Sequence, residues 1–310
     1  MTIMPPAGEL PLMPRTRKAA DVLVPVASVG STNVLARELV DGGKIPLRPG
    51  EPVTIGVVAA QEQTNGHGRL GRTWVSEEGE SFTVSFVATI PRALAVDESV
   101  NGWLPMIAGR CALDAIHGAT GLPVGTRRHR EGDGIGGGCE SELMLKWPND
   151  IFLAGCKLGG ILAELVSGRS RGAEGRETAT VAIIFGIGIN MRVPQSRLPI
   201  RRATSLQLHV PDLQESGPLR DAMAARIAQL LKAELTAFDA EPRSRAAMLR
   251  EEVTDVCWTL GRRVEARLVD GTRVEGRALR VNPDASLTIE TDDHMEHVVR
   301  TGDVGILPAR

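Results

Sequence analysis

Five stretches of apolar, β-branched sequence limit the fold of this 310-residue chain more than any other feature. Each is short, is bounded by Gly, Pro, Asn or Asp, and is typical of a strand. Segments with helical periodicity lie between and after them, which predicts an α/β protein with a mixed central sheet and flanking helices. The five predicted strands are 52–60, 81–90, 143–147, 157–166 and 179–191.

Three segments predict the helices. In 31–43, Ser31 or Thr32 can cap a helix that stops at Gly42 and Gly43. Apolar residues recur every three or four positions over 99–118. The same period runs over 217–254, where a second helix is expected to begin after Pro242.

The composition and periodicity of the sequence change along the chain, and these changes predict its domain organisation. Residues 1–20 are rich in proline, lack periodicity and are expected to form a disordered leader. Residues 21–256 form the main domain, in which 124–142 reads as a flexible low-complexity insertion. Residues 257–310 alternate over short strands joined by Asp-Gly, Asn-Pro-Asp and Thr-Gly-Asp turns, as in a small β barrel.

Composition excludes several classes of partner. The net charge of -2 provides no overall field for nucleic acid or membranes, and aromatic residues make up only 3% with no Tyr. No apolar run is long enough to span a membrane, and no export signal is visible. The four cysteines form no CxxC pair, which favours a reducing cytoplasm. His294 and His297 are three residues apart, but in a strand-rich region they are better read as solvated strand ends than as metal ligands.

The stretch QTNGHGRLGR, residues 63–72, lies between two predicted strands, where ligand loops are common. Its glycines let backbone approach a ligand, and Arg69 and Arg72 carry donors suited to phosphate or carboxylate. It lacks the Gly-Lys-Ser/Thr of a P-loop. Alone, it is equally consistent with an exposed turn.

The segment 145–165 gathers polar groups at a strand corner. Pro148 interrupts the ladder after Lys146 and Trp147, and Lys157 begins the next strand beside two glycines. Asp150 could hold a cation or a metal-bound phosphate. A plain turn with a solvated lysine is the structural alternative.

Two further motifs have both structural and functional interpretations. The Gly-x-Gly of FGIGINM, 185–191, leaves gaps that either pack against a helix or admit a flat ligand, with Asn190 at the strand end. The hydroxyls of the STN motif, 31–33, could bind a ligand, although helix capping accounts for them equally well.

Taken in order, these motifs resemble the biotin–protein ligases, also called biotin–[acetyl-CoA-carboxylase] ligases. The resemblance spans about 21–308 and is to the monofunctional form without an N-terminal DNA-binding domain, for which the chain has no room. It implies a catalytic domain like that of class II synthetases and a C-terminal SH3-like barrel. The matching motifs are STN (31–33), QTNGHGRLGRTW (63–74), KWPND (146–150), KLGGIL (157–162), GIGIN (186–190) and ATSL (203–206).

The resemblance implies an activity and its substrates. Such ligases convert biotin and ATP to biotinyl-5′-AMP, then transfer biotin to one lysine of a biotin carboxyl carrier domain. Mg²⁺ is expected on the phosphates, with its protein ligands unassigned. The implied protein is cytoplasmic and binds neither DNA nor membranes. The resemblance leaves open whether it forms a homodimer.

The resemblance also implies roles for individual residues. Asp150 would orient Lys157 or a magnesium-bound phosphate, and Trp74 has core packing as its alternative. His67 stands where many relatives have Arg, Gln or Lys. The implied catalytic residues are Lys157, Arg69 and Asp150. The implied biotin-binding residues are Ser31, Thr32, Asn33, Gln63, Gly66, His67, Gly68, Arg69, Lys157 and Gly160. The implied ATP-binding residues are Arg72, Trp74, Lys146, Asn149 and Asn190.

Two alternatives stay open at this point. A lipoate–protein ligase or octanoyltransferase has a related catalytic fold, but KWPND, KLGGIL and the barrel favour biotin. A noncatalytic biotin-binding sensor would not need Arg69 and Lys157.

Overall fold

The computed structural model describes residues 10–46, 53–125, 142–166, 180–200, 202–268, 270–300 and 303–307. The helices are α1 (Pro14–Ala19), α2 (Thr32–Asp41), α3 (Arg92–Val96), α4 (Leu104–Thr120), α5 (Ser216–Ala240) and α6 (Pro242–Val256). The first eight strands are β1 (Val22–Val29), β2 (Ile55–His67), β3 (Thr73–Ser76), β4 (Ser81–Pro91), β5 (Leu143–Lys146), β6 (Asp150–Leu153), β7 (Cys156–Val166) and β8 (Thr180–Asn190). The last five are β9 (Arg263–Arg267), β10 (Arg273–Val281), β11 (Leu287–Glu290), β12 (Glu296–Val299) and β13 (Asp303–Ile306).

The main sheet is mixed, as the sequence predicts. Its strand order is β1-β2-β4-β8-β7-β6-β5, and β3 pairs with the end of β2. Strands β1 and β2 are parallel, whereas the other pairs are antiparallel. The central pair, β4 and β8, is in register from Ser81 opposite Asn190 to Pro91 opposite Thr180.

The side chains of β8 show which residues lie on each face of the sheet, because successive residues of a strand point to opposite sides. Phe185, Ile187 and Ile189 belong to the large core that also contains the apolar side chains of α4 and α5. Ala182 and Ile184 belong to a smaller cluster beneath α2. Gly186, Gly188 and Asn190 continue the face that α2 covers, and this side of the sheet carries the candidate site.

The prediction of a disordered leader is wrong for residues 10–20. Helix α1 packs on α5, and Thr16 is fully buried. The Asp221 carboxylate of α5 accepts hydrogen bonds from the Thr16 amide at 2.8 Å, the Thr16 hydroxyl at 2.8 Å and the Arg15 amide at 3.0 Å. One buried carboxylate thus replaces the hydrogen bonds that a short polar segment cannot make within itself. Residues 1–9 lie outside the described residues.

The C-terminal region forms a five-stranded antiparallel sheet with the order β12-β11-β10-β9-β13. Its apolar side chains join the same cluster as the main core. Two indole N–H groups attach the turn between β10 and β11 to the main domain, because Trp103 donates to Pro283 O at 2.8 Å and Trp147 to Ala285 O at 2.9 Å. The domain boundary near 256 and the closure of this sheet into an SH3-like barrel stay predictions.

The predicted helices are confirmed, with small differences at their ends. Ser31 caps α2 by accepting from Val34 N, and the helix ends before Gly42. The predicted interval 217–254 contains α5 and α6, with Pro242 at the start of α6.

Three strands of the main sheet escape prediction. β1 pairs with β2, β3 forms a hairpin with the end of β2, and β6 lies between β5 and β7. The first half of the stretch 63–72 is therefore strand, and its turn is confined to 68–72.

The structure describes the proposed insertion and the cysteines only in part. The core of the proposed insertion, residues 126–141, and with it Cys139, lies outside the described residues. Cys111, Cys156 and Cys257 are free thiols. His294 occupies a turn and His297 an exposed strand position, as expected for solvated strand ends.

In the described part of the chain, no helix combines the length and apolar character needed to cross a bilayer.

Candidate active site

The first wall of the site is the N-terminus of α2. Capping by Ser31 fixes the start of the helix and turns Thr32 and Asn33 inward, where both are buried. Thr32 donates from its backbone amide to Gln63 Oε1 at 2.9 Å. Gln63 in turn donates from Nε2 to Trp74 O at 3.2 Å, so the helix, β2 and β3 are joined by one side chain.

A second group of polar contacts surrounds Asn33. Its Nδ2 donates to Glu164 Oε2 at 2.7 Å and lies 3.4 Å from Leu162 O. Its Oδ1 lies 2.6 Å from the Ser85 hydroxyl, which is also 2.7 Å from Thr32 Oγ1. Arg37 pairs with the other Glu164 oxygen at 3.0 Å. Every amide atom of Asn33 is therefore engaged.

The β2–β3 hairpin forms the roof of the site. Gly66 pairs with Trp74 and His67 with Thr73, after which a 3-10 turn from Arg69 to Gly71 reverses the chain. A Cβ on Gly66 would collide with the Gln63 side chain and with Trp74 O. Gly71 has a φ of 71°, in the left-handed region that favours glycine.

The Asn149–Asp150 corner forms the opposite wall and carries the strongest electrostatic feature. Asp150 is buried, with Oδ1 2.6 Å from Lys157 Nζ and Oδ2 3.2 Å from Lys146 Nζ. Burial alone would raise the pKa of the Asp150 carboxyl, but the two ammonium groups outweigh it and hold that pKa below its ordinary value. Of the two roles suggested for Asp150, these ion pairs favour the orientation of lysine.

One hydrogen bond joins the roof to this wall. Arg69 donates from Nη1 to Asn149 Oδ1 at 3.1 Å, and Asn149 donates from Nδ2 to Ile161 O at 2.7 Å. Arg69 and Lys157 come from distant parts of the sequence, yet they line the same cavity. The ligase interpretation of the sequence requires these two cations to lie in one site.

The Gly-x-Gly of β8 forms the floor, and its two gaps are filled by the protein itself. A Cβ on Gly186 would collide with the Asn33 amide, and a Cβ on Gly188 would collide with the Trp74 indole. Trp74 Nε1 is buried and has no hydrogen-bond partner among the described residues, although the side chain lines the cavity. Asn190 donates to Thr204 O at 2.9 Å, so a ligand would meet its remaining oxygen.

The cavity enclosed by these walls has a volume of about 700 Å³. Every residue that the sequence suggested for the site lines it except Gly66, whose assignment to biotin stays a prediction. Gly66 allows the close packing of the hairpin. The suggested residues that do line it are Ser31, Thr32, Asn33, Gln63, His67, Gly68, Arg69, Arg72, Trp74, Lys146, Asn149, Asp150, Lys157, Gly160 and Asn190.

Several residues of the site were missed by sequence reasoning. Thr83 lines the cavity and Ser85 lies behind it, both on the polar face of β4. Their alternation with Phe82, Val84 and Phe86 was a usable signal, since a buried strand with hydroxyls at every second position has a polar face. Pro199 and Ile200 form part of the rim, and no motif marked them.

A second cavity, also of about 700 Å³, adjoins the first. The two share lining residues from the hairpin and the corner, among them His67, Arg69 and Asn149. The far side of the second cavity is formed by α4 and by Asp284, Ala285 and Arg300 of the C-terminal sheet. Arg69 and Asn149 therefore line both cavities, whereas Lys146, Asp150 and Lys157 line only the first.

The described residues contain no group of three or more His, Cys, Asp and Glu side chains that could hold a metal ion. Both oxygens of Asp150 already face lysines. A divalent cation in this site would fit best on phosphate oxygens brought by a nucleotide.

Comparison with known proteins agrees with this arrangement. The model of the biotin/lipoate A/B protein ligase family matches residues 47–175, which include the hairpin, the corner and all of β7. The chain is similar to this family over that range. The biotin–[acetyl-CoA-carboxylase] ligase of Mycobacterium tuberculosis is 29% identical over 282 residues, covering 90% of this chain and 86% of that protein.

Other members of the ligase family extend the comparison. The bifunctional ligase/repressor BirA of Bacillus subtilis is 26% identical over 251 residues, which cover 78% of this chain but only 63% of that protein. Two structures of the biotin protein ligase from Aquifex aeolicus share the fold. One, titled as a complex with biotin and ATP, has a TM-score of 0.60 at 20% identity and covers 93% of this chain and 98% of that chain. The other has a TM-score of 0.62 at 17% identity and covers 94% of this chain and 100% of that chain.

Proposed function

We propose that this protein is a biotin–protein ligase, which activates biotin with ATP and transfers it to a lysine of a biotin carboxyl carrier domain. The observation that carries the proposal is the meeting of Arg69 and Lys157 in one cavity, joined through Asn149 and Asp150. Its relatives are named as ligases of this kind. The protein is expected to work in the cytoplasm.

The first half-reaction brings two anions together. A biotin carboxylate oxygen attacks the α-phosphate of ATP, and pyrophosphate leaves, so negative charge accumulates on the phosphoryl oxygens. Arg69 and Lys157 stabilise this charge, and Asp150 holds the Lys157 ammonium in place before the substrates arrive. Mg²⁺ bound to the phosphates of ATP would supply further charge neutralisation there.

The polar end of the cavity suits the ring of biotin. Thr32 and Gln63 offer hydroxyl and amide groups at the start of α2, whereas Gly160 and Leu162 line the wall between them and Lys157. A cyclic urea needs both donors and acceptors, and an aliphatic chain needs an apolar wall. Arg72, Trp74 and Asn190 would face the nucleotide.

In the second half-reaction, the acceptor lysine attacks the acyl carbon of biotinyl-5′-AMP and AMP leaves. We propose that this lysine enters through the second cavity, because that cavity shares Arg69 and Asn149 with the first cavity and is lined on its remaining side by other elements. Ala163 is exposed and lines only this route among the two cavities. Replacement by Trp should therefore block the carrier and spare adenylation.

Leu165 provides the control for this substitution. It lies two residues further along β7, is 44% exposed and lines neither cavity. Ala163→Trp should lose at least tenfold in carrier labelling while biotin-dependent exchange of pyrophosphate into ATP is kept. Leu165→Trp should keep both activities. Equal labelling by the two variants would contradict this route.

A direct assay tests the activity itself. The purified chain is incubated with ATP, Mg²⁺ and either biotin or lipoate, and pyrophosphate exchange is followed, with a carrier domain then added and blotted with streptavidin. Biotin-dependent exchange and a labelled carrier lysine are expected. Exchange with lipoate alone would identify a lipoate–protein ligase, and biotin binding without exchange would identify a sensor. Light scattering would test the homodimer.

A further inference from the structure

We propose that Glu164 sets the direction of hydrogen bonding at Thr32 and thereby determines which polar groups of the ligand ring the site can bind. Glu164 does not line the first cavity. Glu164 is a positioning residue in this account and acts through Asn33 and Ser85. The inference rests on the proposed function, since it names how the same site recognises a cyclic urea.

The first step is the orientation of the Asn33 amide. Nδ2 faces the Glu164 carboxylate at 2.7 Å and Leu162 O at 3.4 Å. A carboxylate and a carbonyl oxygen can only accept, so two separate partners require the amino group on this side. Oδ1 must then face Ser85, at 2.6 Å. The orientation follows from the chemistry of the partners.

The second step concerns the single hydroxyl hydrogen of Ser85. Ser85 is fully buried and has two oxygen neighbours, Asn33 Oδ1 at 2.6 Å and Thr32 Oγ1 at 2.7 Å. It can donate to only one of them. Asn33 Oδ1 has no hydrogen of its own, whereas Thr32 Oγ1 does, so the Ser85 hydrogen is drawn to Asn33.

The third step gives the consequence at the cavity. Thr32 receives no hydrogen from Ser85 and keeps lone-pair capacity on Oγ1, while its own hydrogen serves Ser85 or Gln63 Oε1, the latter at 3.2 Å. Thr32 lines the cavity and can therefore accept from a ligand N–H. If the Asn33 amide turned over, Ser85 would accept from Nδ2 and donate to Thr32, which would occupy one of the two lone pairs of Oγ1 and release the Thr32 hydrogen from Ser85. The ring N–H of a cyclic urea would then meet a hydroxyl with one lone pair fewer and with a hydrogen of its own free to point into the cavity.

Arg37 explains why the outer residue must be a carboxylate. One Glu164 oxygen accepts from Arg37 at 3.0 Å and the other from Asn33 at 2.7 Å. Glutamine has the same shape but only one acceptor oxygen, for which the guanidinium would compete. The Gln amino group would then face Asn33 Nδ2, donor against donor, and would favour the reversed amide.

Three variants of the full-length chain test this inference. Glu164→Gln should raise the Kd for biotin and for desthiobiotin, which keeps the cyclic urea, about tenfold, the equivalent of one hydrogen bond. Arg37→Ala should change these values less than about twofold, because Glu164 still accepts from Asn33. The double variant Arg37→Ala/Glu164→Gln should recover binding, because the Gln oxygen is free to turn to Asn33. In pyrophosphate exchange, KM for biotin should rise in Glu164→Gln while kcat and KM for ATP stay unchanged.

Particular outcomes would overturn the inference. They are unchanged biotin binding by Glu164→Gln, binding by the double variant that stays as weak as in Glu164→Gln, or a parallel rise in KM for ATP, which would indicate a general structural role. The unsubstituted chain separates this result from the proposed function. If it binds no biotin, the function itself is wrong; if it binds biotin and Glu164→Gln has no effect, only the inference is wrong.

Discussion

Arg69 donates a hydrogen bond to the Asn149 side chain at 3.1 Å, although the two residues are 80 positions apart in the sequence. This contact places a guanidinium from the β2–β3 hairpin beside the corner that carries Asp150 and its two lysines. Two sequence motifs that are individually weak thus become one cationic centre. The following predictions test what that centre does.

Lys157→Ala should remove most adenylation. The ammonium is held by Asp150 at 2.6 Å, and in the proposed reaction it stabilises charge that develops in the transition state. Loss of one such donor typically lowers kcat by about 10²–10³. Biotin-dependent exchange of labelled pyrophosphate into ATP measures it. Lys44→Ala is the control, because Lys44 is exposed outside the cavity and its replacement should leave exchange unchanged.

Arg69→Gly should let biotinyl-5′-AMP escape from the site. The substitution removes both a charge beside the phosphate and the hydrogen bond that ties the roof to Asn149. Chromatography of the filtered reaction should show free adenylate, and bystander proteins should become labelled. Arg280→Ala, at a surface pair with Glu296, should release none. Retention of the adenylate by Arg69→Gly at the level of the unsubstituted chain would argue against this role.

Asp150→Asn should destabilise the protein at neutral pH. It leaves Lys146 and Lys157 without their counterion in a buried site, which costs about 3 kcal/mol when one partner of a buried pair is removed. Chemical denaturation of both proteins measures this difference in the free energy of unfolding.

The same pair of proteins gives a pH dependence with a definite sign. Because the pKa of Asp150 is depressed in the folded protein, its contribution is complete above the ordinary carboxyl pKa and is lost as pH falls through the folded pKa. The stability difference between the unsubstituted chain and Asp150→Asn should therefore be constant near neutrality and shrink below about pH 5. A difference that grew on acidification would contradict the assigned ion pairs.

Replacement of residues 126–141 by a short Gly-Ser linker should preserve adenylation. The residues on either side are held together, since Gly125 N donates to Leu143 O at 3.0 Å and Leu143 N to Pro123 O at 2.8 Å. A shorter connection also changes the entropic cost of closing the loop only slightly. Pyrophosphate exchange within about twofold of the original is expected. A loss of exchange with unchanged thermal stability would assign the segment a role in catalysis.

The sequence predicted those parts of the site whose chemistry is local. Glycines next to cations marked the hairpin and the corner, and the caps of α2 marked its start. It could not reveal that the gaps at Gly186 and Gly188 are filled by Asn33 and Trp74, because these contacts depend on the packing of α2 and β3 over β8.

Long-range contacts also explain the errors. Residues 10–20 are too short and too irregular in pattern to order themselves, and Asp221 orders them from more than 200 residues away. Strand β1 has intermediate burial along its whole length and gives no alternation to detect. Glu164 reads as an ordinary strand residue until Asn33 and Arg37 are seen on either side of it.

The central claim is that one cavity binds biotin and the ATP α-phosphate together, between Arg69 and Lys157. Calorimetric titration with biotinol-adenylate, a stable analogue of the intermediate, tests it most directly. One equivalent per chain should bind and should abolish the subsequent binding of both biotin and ATP. Unimpaired binding of ATP to the chain saturated with the analogue would contradict the account.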